Sequence, residues 1–305
     1  MKRIASLILV LVIALSTLVG CLGGEKEYSL SIGVKVTETL ASSKVAQSVA
    51  SIVIDEDGKI VDCKLDCVEY SAYNRQGALV KTTPVSKVAQ GEAYDAYSPM
   101  AAGHWFEQAA ALEEYVIGKT QAEVAAIALG ADGKLTDTEI NTSCSIAVSD
   151  LLVAIDNAFK SEHKRSFNAS KDLELGLSVV GSVKVTEGDT VNAKHSATYA
   201  AVVMAEGKVV SAIVDTAEPE LVNVTSEGAA SLKYSGTKRE QGDAYDAYAP
   251  MAGGRWYAQV DAYADAAIGL TADNIATLAT EGVAGCTIGV TDYKAGIEAA
   301  VKAAK

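Results

Sequence analysis

Gly91-Glu92-Ala93-Tyr94-Asp95-Ala96-Tyr97-Ser98-Pro99-Met100-Ala101 recurs as Gly242-Asp243-Ala244-Tyr245-Asp246-Ala247-Tyr248-Ala249-Pro250-Met251-Ala252. The match runs on through Trp105 and Gln108 to Trp256 and Gln259. Upstream, Val34-Lys35-Val36-Thr37-Glu38 matches Val183-Lys184-Val185-Thr186-Glu187, and Gly58-Lys59-Ile60-Val61 matches Gly207-Lys208-Val209-Val210. Downstream, Cys144-Ser145-Ile146 matches Cys286-Thr287-Ile288. The blocks keep their order, so one folding unit is present twice. Two copies of so long a unit do not make a solenoid. The reading is a signal peptide over 1–20, a tether over 21–27, one repeat over 28–160, a polar linker over 161–176 and a second repeat over 177–305.

Within each copy, strands precede helices. Leu30, Ile32, Val34 and Val36 alternate as in a half-buried strand, and Ser51–Ile54 and Lys59–Cys67 flank the turn-forming Asp55-Glu56-Asp57-Gly58. Alternation predicts Val61, Cys63, Leu65 and Cys67 on one face and Asp62, Lys64 and Asp66 on the other. Trp105, Ala109, Leu112 and Val116 share a helical face, as do Trp256, Val260, Tyr263 and Ala267. Thr120 and Glu123 have capping-box spacing, and Ser149–Lys160 and Thr291–Ala304 read as closing helices. The expected fold class is α+β: two tandem homologous domains, each an antiparallel sheet followed by helices.

The N-terminus reads as an export signal. Lys2 and Arg3 precede an apolar run over Ile4–Leu18, which ends in Leu18-Val19-Gly20-Cys21. That is the form of a bacterial lipobox, with Cys21 as the lipidated residue. The mature protein is expected on the extracytoplasmic face of the cell membrane, held through its lipid anchor. Loss of Lys2 and Arg3 takes the formal charge from −13 to −15. An acidic chain without a basic cluster argues against nucleic acid and against electrostatic adhesion to anionic lipid. Of the remaining cysteines, Cys63 and Cys67 are about 13 Å apart along a strand, beyond disulfide reach, and free buried thiols are expected for most of the four.

No catalytic or metal-binding constellation emerges. Asp55, Asp57 and Gly58 resemble the middle of a calcium loop, but Val53 and Lys64 stand in its first and last ligand places. His104 is replaced by Arg255 in the second copy, and no acidic or cysteine partner is expected for it at a repeated position. Neither copy offers a Ser/His/Asp set or a phosphate loop. The block with Tyr94, Tyr97 and Trp105, and its counterpart with Tyr245, Tyr248 and Trp256, has two readings. It forms either a surface that stacks on a ring or a rigid loop that packs aromatics onto its own domain.

Ala284-Gly285-Cys286-Thr287-Ile288, followed by a helix, resembles the terminal motif of bacterial FMN-binding domains, as do the Asp57–Val61 turn and the Trp105–Gly118 helix. Such domains occur in exported lipoproteins and electron-transfer subunits, where a Ser or Thr hydroxyl is esterified to FMN phosphate. The resemblance implies FMN as cofactor, Ser145 and Thr287 as acceptor positions, and membrane redox proteins as partners. The chain departs from the motif: Cys144 and Cys286 replace an Ala, Ile140 and Gly282 replace the upstream acid, and Ser143 replaces a Gly. A flavin transferase is therefore not expected to modify either hydroxyl. The expectation is a cell-surface binding or accessory module near extracellular electron-transfer proteins. The alternatives are a flavin-carrying redox protein and a ligand-free structural surface antigen.

Overall fold

A computed structural model describes residues 25–96, 100, 102–170, 172–248, 251 and 253–304. The leader, Cys21, Tyr97 and the side chain of Tyr248 lie outside the described set. The first half opens with three antiparallel strands, β1 (Lys26–Thr39), β2 (Lys44–Ile54) and β3 (Ile60–Ser71). Helices α1 (Lys87–Gln90), α2 (Glu92–Asp95), α3 (Trp105–Val116), α4 (Gln121–Ala125), α5 (Thr138–Asn141) and α6 (Ser149–Lys160) follow. The second half repeats the order with β5 (Glu174–Glu187), β6 (Val191–Ala205) and β7 (Lys208–Ala217), then the short β8 (Glu220–Val222) and β9 (Ser231–Lys233). Its helices are α7 (Lys238–Gln241), α8 (Asp243–Tyr248), α9 (Trp256–Asp265) and α10 (Thr291–Ala303). The fold is thus mixed α+β with antiparallel sheets, as the strand and helix periodicities predict.

The polar stretch between the halves contains structure that the sequence reading did not anticipate. Arg165–Ala169 form β4, which pairs antiparallel with the start of β1 and gives the sheet order β3-β2-β1-β4. In the second sheet β6 is flanked by β5 and β7, while β8 pairs with the first residues of β6.

Each sheet buries one face under its own helices. Ala50, Ile52, Cys63 and Leu65 pack with Trp105, Leu112 and Ile155, and Ala200, Val202, Ala212 and Val214 pack with Trp256, Val260 and Ile297. The opposite faces meet each other: Leu30, Val49, Val53 and Phe167 share a cluster with Leu175, Val203, Ile213 and Ala217. The result is four layers, helix–sheet–sheet–helix.

Two details of register correct the sequence reading. A β-bulge beside Val53 and Ile54 shifts the pairing with β3. Ile60 therefore joins Cys63 on the helix side, while Val61 packs into the inter-sheet cluster. Asp66, placed by alternation on the face opposite Cys63 and Leu65, is buried and accepts from the N–H groups of Val88 (3.0 Å) and Cys67 (2.7 Å). The Val34 and Val183 blocks are also not equivalent in space. Val34 pairs with Val49, next to Ala50, whereas Val183 pairs with His195, five residues before Ala200.

The equivalent strand positions are Gly33, opposite Ala50, and Ser178, opposite Ala200. A Cβ on Gly33 would overlap the backbone of Ala154 and Ala158 in α6. In the second half the strand glycine is Gly176 of β5, where a Cβ would overlap the backbone of Ala300 and Ala304, and Ser178 donates its hydroxyl to the Gly296 carbonyl of α10 at 2.7 Å. Each copy thus brings its last helix down onto the sheet by leaving a side chain off its first strand, at Gly33 in one and at Gly176 in the other.

A polar triad crosses the inter-sheet layer. Gln47 Nε2 donates to the His195 carbonyl (3.1 Å) and lies 2.9 Å from His195 Nδ1, while Tyr199 donates its hydroxyl proton to Gln47 Oε1. The ring of His195 is fully buried, and its Nε2 has no partner among the described residues. Burial pushes its pKa down from 6.5 to about 4.

Gly33→Val is expected to lower stability by about 3 kcal/mol, read from urea unfolding, because backbone and not a movable side chain blocks the new methyls. The depressed His195 pKa means that the unfolded chain binds a proton between pH 6.5 and 4 that the folded chain refuses. Its stabilising contribution is therefore complete above pH 6.5 and is lost as pH falls to about 4. Asp66 and Asp215, pushed up to about 6 by burial, act in the opposite sense over part of this range. A difference measurement isolates the histidine. The stability gap between wild type and His195→Gln should shrink by about 3 kcal/mol from pH 7 to pH 4. A gap independent of pH would show that the ring is hydrated in the folded state.

Candidate functional site

The repeated aromatic block is built from a helix cap upward. Ser86 and Thr237 cap α1 and α7, accepting from the N–H groups of Ala89 (3.3 Å) and Glu240 (3.1 Å). The cap fixes the next residue, Lys87 or Lys238, on the first helical turn. Lys87 Nζ lies 2.9 Å from Glu69 of β3, and 4.8 and 5.2 Å from the ring centroids of Tyr94 and Trp105. Lys238 Nζ repeats this, 3.2 Å from Glu218 and 4.9 and 5.4 Å from the Tyr245 and Trp256 rings. Burial opposes the Lys238 charge, but Glu218 and the Tyr245 hydroxyl more than offset it, and its pKa lies above the ordinary lysine value.

Below the ammonium the rings pack on each other. Tyr94 meets Trp105 edge to face with centroids 6.4 Å apart, and Tyr245 meets Trp256 at 6.1 Å. Trp105 is 5 % exposed and Trp256 3 %. The indole N–H of Trp256 donates to the Tyr293 hydroxyl at 3.1 Å. The tryptophans are thus held within the core between the helices and the sheet.

The carboxylate of the block orients the tryptophan helix. Asp95 Oδ2 accepts from the Trp105 N–H at 3.0 Å, and Asp246 Oδ1 from the Trp256 N–H at 2.9 Å. Both satisfy an N–H that the first turn of a helix leaves unpaired. His104, for which no acidic partner was expected, has its Nδ1 2.8 Å from Asp95 Oδ2. Arg255 takes the same place beside Asp246, at 4.0 Å. The aspartate is thus the repeated partner, and the side chain at the following cap position varies between a ring and a guanidinium.

One turn along the same helices, Gln108 and Gln259 reach the two hydroxyls that the family resemblance singles out. Gln108 Oε1 accepts from the Ser145 N–H (2.8 Å) and its hydroxyl (3.0 Å), while Nε2 donates to the Gly103 carbonyl at 2.8 Å. Gln259 binds Thr287 through the same two groups, both at 2.8 Å, and donates to Gly254 at 2.9 Å. In each half, one helix therefore carries both the tryptophan and the residue that grips Ser145 or Thr287. Thr287 is exposed, and Ser145 is half-buried.

The four body cysteines carry free thiols. Cys63, Cys67 and Cys144 are buried, and Cys286 is half-buried. Burial pushes the Cys67 thiol up to about 11, so it is not a nucleophile at neutral pH. Among the described residues no cluster of His, Cys, Asp and Glu has metal-binding geometry, and no helix is long and apolar enough to cross a membrane.

Lys87, Lys238, Glu69 and Glu218 were not singled out from sequence. The signal was present, since Ser86-Lys87-Val88-Ala89-Gln90-Gly91 and Thr237-Lys238-Arg239-Glu240-Gln241-Gly242 share cap, lysine, glutamine and glycine. Comparison with protein-family models, curated proteins and solved structures found no match to this chain.

Gln259→Leu removes the acceptor of the Thr287 N–H and hydroxyl and the donor to Gly254. It should cost about 1–3 kcal/mol in chemical denaturation, and Thr287→Val, which removes one hydroxyl bond, should cost less.

Proposed function

We propose that the protein is a lipid-anchored, extracytoplasmic accessory module, built from two FMN-binding-like repeats and acting beside membrane electron-transfer proteins without a covalent flavin of its own. The anchor is Cys21, which lies outside the described residues, and this part of the reading rests on the leader sequence alone.

The observation that carries the proposal is the setting of Thr287. The hydroxyl stands in the turn before α10, where the resemblance puts a flavin phosphate, but the adjoining groove does not suit a phosphodiester. It encloses about 200 Å³, below the usual range for a cofactor pocket, and is lined by Tyr263, Glu281, Cys286 and Thr287 with no cationic side chain. A phosphate there would face the Glu281 carboxylate without a compensating lysine or arginine. The Thr287 and Ser145 hydroxyls are engaged by amide side chains, which are not bases that activate a nucleophile. The tryptophans, buried in edge-to-face pairs, support the packing reading of the aromatic block over a ring-stacking surface.

The deciding experiment is visible absorption together with intact-mass measurement on the lipoprotein extracted from its own membrane. The expected spectrum shows no flavin band, and the expected mass is the chain from Cys21 plus lipid. A chromophore that survives acid precipitation, with FMN mass on the peptide carrying Thr287 or Ser145, would instead establish a flavin-carrying redox protein. Failure to co-purify with any membrane redox protein after mild crosslinking would leave a structural surface antigen.

A further inference from the structure

The two halves and their connector enclose a cleft of about 330 Å³ that neither repeat contains alone. Ile32 and Val34 of β1 line it from the first half, Lys160, Ser161, Glu162 and His163 from the connector side, and Asp215, Arg239 and Glu240 from the second half. Arg239 is the unusual member, only 3 % exposed. Its Nε donates to the Val214 carbonyl (2.6 Å) and one terminal nitrogen donates to Asp261 (2.5 Å). The other, Nη1, is buried with no partner among the described residues. The first copy has Val88 at the matching place on its short helix, and there the side chain is 45 % exposed.

A buried guanidinium nitrogen without an acceptor is costly, and a ligand oxygen at that position removes the cost. The remaining charges select the ligand. The nearby acids are already engaged by the backbone: Asp215 accepts from the N–H groups of Thr216 and Arg239, and Glu240 from that of Thr237. With Glu162 they outnumber Lys160 and Arg239 among the lining residues. A simple anion would meet net repulsion. A ligand that presents an oxygen acceptor to Arg239 and a positive group to the acidic rim meets attraction at both ends. The volume is roughly ten times the ~30 Å³ share of one water molecule and lies at the small end of ligand pockets.

We infer that this cleft binds a small zwitterion of amino-acid or dipeptide size, its carboxylate on Arg239 and its ammonium toward Glu162 and Glu240. The site does not depend on the flavin reading and stands whichever way the absorption experiment falls. The test is isothermal titration and thermal unfolding of the mature protein with each standard amino acid and with glycylglycine, using acetate and methylamine as single-charge controls. At least one zwitterion should give a saturable heat and raise the melting temperature by roughly 2–4 °C, with neither control doing so. Ser161→Trp, which fills the cleft from the connector side while leaving Arg239 in place, and Arg239→Gln should each abolish the heat. If Arg239→Gln does not fold, Ser161→Trp decides alone. The proposal is overturned if no zwitterion binds, if binding survives the rim substitution, or if acetate binds as well as the amino acids.

Discussion

Each three-stranded meander is apolar on both faces, and its own helices cover only one of them. Leaving the other face in water would expose Val49 and Val53 in one half and Val203 and Ile213 in the other, at about 1.5–3 kcal/mol for each such side chain. The second sheet removes that cost by covering the first. Much else in the architecture follows from this. The connector cannot be a free tether, and β4 extends the first sheet with Phe167 and Ala169 in the inter-sheet cluster. The polar triad of Gln47, His195 and Tyr199 is buried in that layer, where its members bond to one another and leave only His195 Nε2 without a partner among the described residues.

The secondary structure was legible because local patterns and final burial agree. Trp105, Ala109, Leu112 and Val116 are among the residues that α3 buries, and Thr120 and Glu123 form the capping box that their spacing announces. The packing of sheet on sheet was also written in the chain, but in a different signal. Ala197–Ala205 and Val49–Ile54 are continuous buried runs, apolar but for Thr198 and Ser51, and a strand so nearly apolar on both faces is one covered on both sides. Alternation in β1 drew the reading toward a half-solvated sheet. The bulge that moves Val61 across the sheet had no signature, since an extra residue in one strand is defined only by its partner.

The candidate site was legible in part. The repeat marked Tyr94, Trp105 and Gln108 and their counterparts, because a duplicated fold retains both its packing and its surface residues. Which of the two they are depends on burial and hydrogen bonding, which a repeat does not encode. The aspartate of the block illustrates this: the repeat marks its position, but only the fold shows it accepting the first N–H of the tryptophan helix. Lys87 and Lys238 were hidden for a related reason. A lysine in an acidic chain reads as a solvated charge until the fold places a glutamate and two rings around it.

Duplication also supplies an internal control. What the two copies share is what the fold needs: the capped lysine, the aspartate under the tryptophan, the glutamine clamp and a missing side chain where the last helix meets the sheet. What differs is free of that requirement. Cys67 pairs with Ser48, and Thr216 with Thr198, at the same crossing of the two sheets' strands. Burying a charged side chain costs several kcal/mol unless it is fully paired. The scaffold does not demand Arg239, because the first copy folds with Val88 in that place. Asp261 ties this arginine to Arg165 of the connector strand, so the charge sits where the two copies are joined. This buried cation thus stands in one copy only, where the second half meets the connector.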